Sequence, residues 1–197
     1  MTTKPIGLYV HIPFCVQKCN YCDFCSFPCG EVGWRNEYID ALCKEIGSYQ
    51  DLNITLDSIF FGGGTPSLLS VDEFSRIISA IRKGFSVVSD CEFTLEANPK
   101  TLTEEKLRSF IDFGVNRLSI GLQSINENET KLLGRIHNFD DFLNSYQLAR
   151  NLGISNINVD LMYGIPEQTK ESFKQTLKKV LELSPEHISL YVLILED

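Results

Sequence analysis

Short apolar runs alternate with longer amphipathic stretches along most of the chain. "IGLYVHI" (6–12) is rich in β-branched and aromatic side chains and predicts a first strand. "WRNEYIDALCKEIGSY" (34–49) puts Trp34, Tyr38, Leu42, Ile46 and Tyr49 near one face of a helix. "LDSIFFG" (56–62) predicts a second strand. "SVDEFSRIISAIRKGF" (70–85) predicts a helix, with Ser70 and Glu73 at capping-box spacing. "CEFTLEANP" (91–99) is a third strand, and "TEEKLRSFIDFG" (103–114) a helix capped by Thr103 and closed by Gly114. "RLSIGLQ" (117–123) is a fourth strand, followed by helical stretches around "ENETKLLG" (127–134) and "NFDDFLNSYQLARNLG" (138–153). "NINVDLMYG" (156–164) is a fifth strand, "TKESFKQTLKKVLELS" (169–184) a helix stopped by Pro185, and "HISLYVLIL" (187–195) a sixth strand.

Repeated strand-to-helix units imply parallel strands joined by right-handed crossovers. Two architectures satisfy that pattern, a barrel-like wind and an open doubly wound sheet. No Gly-x-Gly-x-x-Gly follows the first strand, which weakens the dinucleotide-binding version of the second. Side-chain alternation is more informative. In the fourth strand Arg117, Ser119, Gly121 and Gln123 share a face, opposed by Leu118, Ile120 and Leu122. In the fifth, Asn156, Asn158, Asp160 and Met162 oppose Ile157, Val159, Leu161 and Tyr163; in the third, Glu92, Thr94 and Glu96 oppose Phe93 and Leu95. The apolar faces must pack on helices. The polar faces then line the inside of the curve, where an ordinary barrel carries branched apolar residues. Carboxylates buried there without partners would be costly. Mutual satisfaction is one reading of these polar faces; a hydrated, ligand-holding lumen is the other, favoured because three consecutive strands repeat the pattern.

The chain of 197 residues is 43% apolar and 22% charged, a composition suited to one domain with a sizeable core. Its net charge of −8, without a Lys/Arg cluster, speaks against nucleic acid and anionic membranes as partners. No apolar run is long enough to span a bilayer, and the start, "MTTKPIGLYV", lacks the layout of a signal peptide, so the expected location is the cytoplasm. Thiols stay reduced there. Seven clustered cysteines therefore suggest a metal rather than a disulfide framework.

Cys15, Cys19 and Cys22 have the spacing C-x3-C-x2-C on the loop after the first strand, the end of a barrel strand where active sites lie. Three thiolates on one short loop can hold three corners of a cubane cluster, leaving one iron open to a small molecule. Zinc is the competitor. Structural zinc usually takes four closed ligands, often as two distant pairs, and no second distant pair exists here. Cys25 could complete a compact zinc site.

"YVHIPFCVQKCNYCDF" resembles the cluster loop of the radical S-adenosylmethionine (SAM) superfamily, and within it the HemN/HemW group of oxygen-independent coproporphyrinogen III oxidases and related haem chaperones. The resemblance extends through "FFGGGTPS", "LEANP", "RLSIGLQS", "LGRIH" and "NVDLMYGIPEQT". It implies an α/β fold, a partial TIM-like (β/α)6 barrel of parallel strands. It also implies a core domain over residues 1–197, with the family's C-terminal domain absent from a sequence that stops after the sixth strand. The implied cofactors are a [4Fe–4S] cluster on Cys15, Cys19 and Cys22, and SAM. Carried over residue by residue, the SAM contacts would be Tyr9, Tyr21, Gly63, Gly64, Thr65, Glu96, Gln123, Arg135, Asp160, Met162 and Ile194. Glycines let the backbone approach a ligand, and a guanidinium suits the SAM carboxylate. Plainer roles exist for several: a tight turn at "GGGTP", a helix cap for Glu96, a surface position for Arg135, core packing for Tyr9 and Tyr21.

Within the group, the oxidases resemble C-x3-C-x2-C-x-C. Here the last position is Phe24, and "CDF", "LEANP" and "LGRIH" look more like the chaperones. The expectation is a haem chaperone that binds the cluster and SAM and passes haem to an acceptor protein, with an electron donor as a further partner. The alternatives are a porphyrinogen-decarboxylating oxidase and, from another class, a structural zinc or iron–sulfur module without turnover. Cys43, in a helix, and Cys91, opening a strand, are expected to be small buried hydrophobes. His11, His137 and His187 are expected to be hydrogen-bonded structural residues, and Cys29 has no assigned role.

Overall fold

The computed structural model describes residues 4–29 and 33–194. Residues 1–3, part of the start read for a targeting segment, and Leu195, the end of the expected sixth strand, lie outside the described residues. Strand β1 (Ile6–Ile12) is followed by β2 (Phe14–Cys15) and β3 (Phe27–Pro28), which pair with each other across the cysteine loop. Then come α1 (Arg35–Gly47), β4 (Thr55–Gly63), α2 (Val71–Gly84), β5 (Ser86–Ala97), α3 (Glu104–Asp112), β6 (Arg117–Gln123), α4 (Glu127–Leu132), α5 (Phe139–Asn151), β7 (Asn156–Tyr163), α6 (Lys170–Glu182) and β8 (His187–Val192).

The large sheet runs β1-β4-β5-β6-β7-β8, each strand parallel to the next. Its order follows the chain without reversal. That is the wind of a barrel rather than of a doubly wound sheet, which reverses at a switch point. The six strands curl into a half-barrel, as expected. One face of each central strand packs on the helices: Leu95, Leu118, Ile120, Leu122, Ile157, Val159 and Leu161 are all fully buried. Between β4, β5, α2 and α3 sits an aromatic cluster in which the Phe74 and Phe110 ring centroids are 4.4 Å apart. Local signals place the helices. Ser70 Oγ accepts from Glu73 N at 3.1 Å while Glu73 Oε2 accepts from Ser70 N at 2.7 Å, closing the capping box at the start of α2. Glu73 also takes the guanidinium of Arg35 at 2.6 Å, which pins α1 to α2.

Some expectations need correction. Trp34 and Tyr49 flank α1 instead of belonging to it. The third large strand begins at Ser86, so Cys91 lies inside it, and both Cys91 and Cys43 are half-buried against the core rather than buried in it. Tyr163, on the apolar face of β7, is exposed. The small β2–β3 pair was not anticipated, because two residues carry no periodicity. Among the described residues, no helix is long and apolar enough to cross a membrane.

Candidate functional site

The strand faces turned away from the helices look into the concave side of the half-barrel. Around the carboxyl ends of the strands they enclose a cavity of about 660 Å³. The register aligns its polar rungs: Glu96 pairs with Ser119, Gly121 with Asp160, and Asp160 with Ser189. The inward polar faces read from alternation therefore meet in one place.

Cys15, Cys19 and Cys22 all line this cavity. Cys15 is buried in β2, where Thr65 Oγ1 donates to its sulfur at 3.6 Å. Burial pushes its thiol pKa up. Arg135 Nη1 donates to Cys19 Sγ at 3.7 Å, and Cys22 Sγ lies 3.9 Å from Ser26 Oγ. The backbone N–H of Cys22 donates to Cys19 O at 3.1 Å, a tight turn that turns both residues to the cavity. Cys25 is exposed and outside the cavity lining. Its carbonyl accepts from His11 Nε2 at 2.8 Å, which leaves His11 Nδ1 to accept from Tyr9 Oη at 3.1 Å. Among the described residues, no three His, Cys, Asp or Glu side chains are grouped so as to hold a single metal ion. A cubane makes a different demand: each cysteine takes its own iron, so the thiolates ring a volume instead of converging on a point.

"GGGTP" ties the cysteine loop to the sheet. Gly64 N donates to Ile12 O at 2.8 Å and Thr65 N to Phe14 O at 2.7 Å. A Cβ on Gly64 would stand 2.7 Å from Phe14 O and 2.9 Å from Phe14 N, both backbone atoms that cannot yield. Gly64→Ala is therefore expected to cost about 1–3 kcal/mol in a denaturant melt, the range for overpacking. Gly33→Ala, where a Cβ meets nothing within 4 Å, is expected to be near neutral.

Two carboxyls share the cavity floor. Glu96 Oε2 accepts from Gly63 N at 3.1 Å; burial, then the nearby charge of Asp160, raises its pKa to about 7. It does not cap the next helix; Thr103 does. Asp160 accepts from Asn158 Nδ2 at 2.7 Å and Ser119 Oγ at 3.1 Å, and burial still raises its pKa. Opposite them stands Arg135, no surface residue. Its Nη2 donates to Gly121 O at 2.6 Å and to Asn98 Oδ1 at 2.9 Å, and lies 3.2 Å from His137 Nε2. Burial and that guanidinium lower His137 to about 3, so it is neutral. His137 and His187 are thus hydrogen-bonded, as expected; His187 Nδ1 meets Asn158 Oδ1.

Every anticipated site residue lines the cavity except Tyr9. Tyr9 sits on the inward side of the edge strand, 56% exposed, stacked on Phe60. Asn98 and Ser119 also line the cavity and were missed as site residues. Asn98 Nδ2 donates to Thr65 Oγ1 at 3.0 Å while its Oδ1 holds Arg135, so it couples "GGGTP" to the arginine. It lay in the "LEANP" motif; only its neighbours suggested a role.

The donor set suits the implied cofactors. Gln123 Oε1 and Arg135 Nε, both on residues of the cavity wall, are buried without a hydrogen-bond partner, which leaves polar capacity for a ligand. Gln123 holds φ at 69°, a left-handed conformation that a non-glycine residue adopts at a cost.

Residues 9–180 match the family model of the radical SAM superfamily. The chain belongs to that superfamily. Membership implies binding of a [4Fe–4S] cluster and SAM. The chain is 40% identical to the heme chaperone HemW of Haemophilus influenzae over 98% of its length and 52% of the relative's. It is also 40% identical to the heme chaperone HemW of Escherichia coli, covering 98% of this chain and 51% of that one. Among solved structures, the radical SAM enzyme coproporphyrinogen III oxidase (HemN) from E. coli superposes with a TM-score of 0.90 at 34% identity, over 96% of this chain and 44% of that one. The chain spans about half the length of the curated relatives it matches.

Proposed function

We propose that this chain is the cluster- and SAM-binding part of a HemW-like haem chaperone. The observation that carries the reading is the convergence of Cys15, Cys19 and Cys22 with Gly64, Glu96, Arg135 and Asp160 on one cavity. In this reading the three thiolates hold the cluster. Gly63, Gly64 and Thr65 bring backbone close to the amino acid end of SAM. Arg135, held by Asn98 and Gly121, receives its carboxylate. Glu96 and Asp160 balance the cationic groups and bind the ribose hydroxyls, with Gln123 beside them; Tyr21, Met162 and Ile194 supply the cavity's more apolar wall. What a bound cluster supplies is one-electron reduction; the residues of this chain bind, orient and exclude water.

The chaperone is favoured over the oxidase by the 40% identity to HemW proteins and by Phe24, exposed at the cavity edge where the oxidase pattern has a cysteine. The close superposition on HemN supports the oxidase as second reading. A paired assay on anaerobically reconstituted protein separates them. Haem binding in a titration, with no loss of carboxylates from coproporphyrinogen III in the presence of SAM and reductant, is the expected result. SAM-dependent decarboxylation would overturn the chaperone reading.

A further inference from the structure

The residues between the candidate ligands are held from a single place. Asn20 N donates to Leu133 O at 3.0 Å, Asn20 Nδ2 to Leu132 O at 3.0 Å, and Gln17 Nε2 to Gly134 O at 3.2 Å. All three carbonyls belong to the C-terminal end of α4, where helix carbonyls lack partners within the helix. The cysteine loop thus caps a helix more than a hundred residues away in the chain. Contact between the two is close: Gly134 has φ at 70°, and a Cβ there would stand 2.8 Å from Asn20 Oδ1 and 3.1 Å from Asn20 N. Just beyond, Arg135 N donates to Thr130 O at 2.9 Å, closing α4, and its guanidinium reaches Cys19 Sγ.

A helix of six residues is too short to stand alone, so something must anchor it. The anchor is Glu129, only 3% exposed. Its carboxylate accepts from Ser124 Oγ at 2.6 Å, Ser172 Oγ at 2.6 Å and Gln168 Nε2 at 3.0 Å. These donors come from the loop after β6, the start of α6 and the loop between β7 and α6. Gln168 continues the network, accepting from Gly164 N at 2.9 Å and donating to Met162 O at 3.3 Å, a residue of the cavity wall.

We propose that α4 is a latch for the cysteine loop: Glu129 roots it in the barrel, and Asn20 and Gln17 fasten the loop to its free end, so that the three thiols are presented at their working spacing before metal arrives. Glu129, Asn20 and Gln17 are positioning residues. Their importance rests on reading Cys15, Cys19 and Cys22 as cluster ligands; the latch geometry does not.

The test uses Asn20→Ala and Gln17→Ala, singly and combined. Both side chains are exposed, so the core stays intact. In the metal-free protein, amide hydrogen exchange over residues 15–25 is expected to rise about five-fold for each lost hydrogen bond and about twenty-fold for the pair, with exchange in α2 unchanged. Glu129→Gln, which sets an amide against three donors, is expected to loosen the same segment. After reconstitution, iron release to a chelator is expected to accelerate in parallel. Unchanged exchange over residues 15–25 in the double variant would overturn the proposal. So would an equal rise in α2, which would mark a general loss of stability. If the unmodified protein takes up no iron, the ligand reading fails, while the exchange measurement still decides the latch.

Discussion

Replacing Cys19 with serine is expected to cut the iron retained after anaerobic reconstitution from about four atoms per chain to well under one. A serine oxygen is a hard, weakly acidic donor, whereas iron in a cluster takes a soft thiolate. Cys15→Ser and Cys22→Ser are expected to behave alike, because all three thiols line the same cavity. Cys25→Ser is the informative contrast. Cys25 is exposed and outside the cavity lining, so its loss is expected to leave the iron count unchanged. Iron and sulfide analysis of the four variants checks this directly. A loss of iron in Cys25→Ser equal to that in Cys19→Ser would mean a fourth protein ligand and no open iron for SAM.

Glu96→Gln is expected to stabilise the ligand-free protein at pH 8 while weakening its grip on SAM. The sign follows from the direction of the shift. Burial and the charge of Asp160 raise Glu96 from 4.5 to about 7, so the folded state holds a proton that the unfolded state has released. The stabilising contribution of that proton is complete below about pH 4.5 and is lost as pH rises through 7. At pH 8 the ionised, buried carboxylate costs about 3 kcal/mol. Glutamine keeps the acceptor for Gly63 N without the charge. Denaturant melts should show the variant more stable than the parent at pH 8 and equal at pH 4.5. For a cationic ligand the order reverses: SAM affinity should fall below pH 7 in the parent and be low and nearly pH-independent in the variant. A parent whose stability does not decline between pH 5 and 8 would contradict this account of the cavity floor.

Much of this was legible in the sequence, and the reasons are local. The Ser70–Glu73 pair predicted its own capping box, because the spacing that satisfies two orphan N–H groups is written within four residues. The polar faces of β5, β6 and β7 followed from two-residue alternation, since each opposing face had to be apolar to bury. Where signals were not local, the reading stopped short. Tyr9 follows the alternation and turns inward, yet β1 is an edge strand, and the ring ends on Phe60 outside the cavity lining. Asn98 acts by joining Thr65 to Arg135, and no period in the sequence relates those three. The clasp between Asn20 and the end of α4 joins residues 112 apart and is visible only once the barrel has wound.

The central claim is that Cys15, Cys19 and Cys22 present an iron–sulfur cluster with an open iron to a SAM site built by β4 to β8. Electron paramagnetic resonance of the reconstituted, reduced protein, recorded with and without SAM, tests it most directly. The account predicts a cluster signal from about four irons per chain that changes shape when SAM is added and that is lost in Cys19→Ser. A protein that takes up zinc alone, or a cluster signal that saturating SAM leaves untouched, would contradict it.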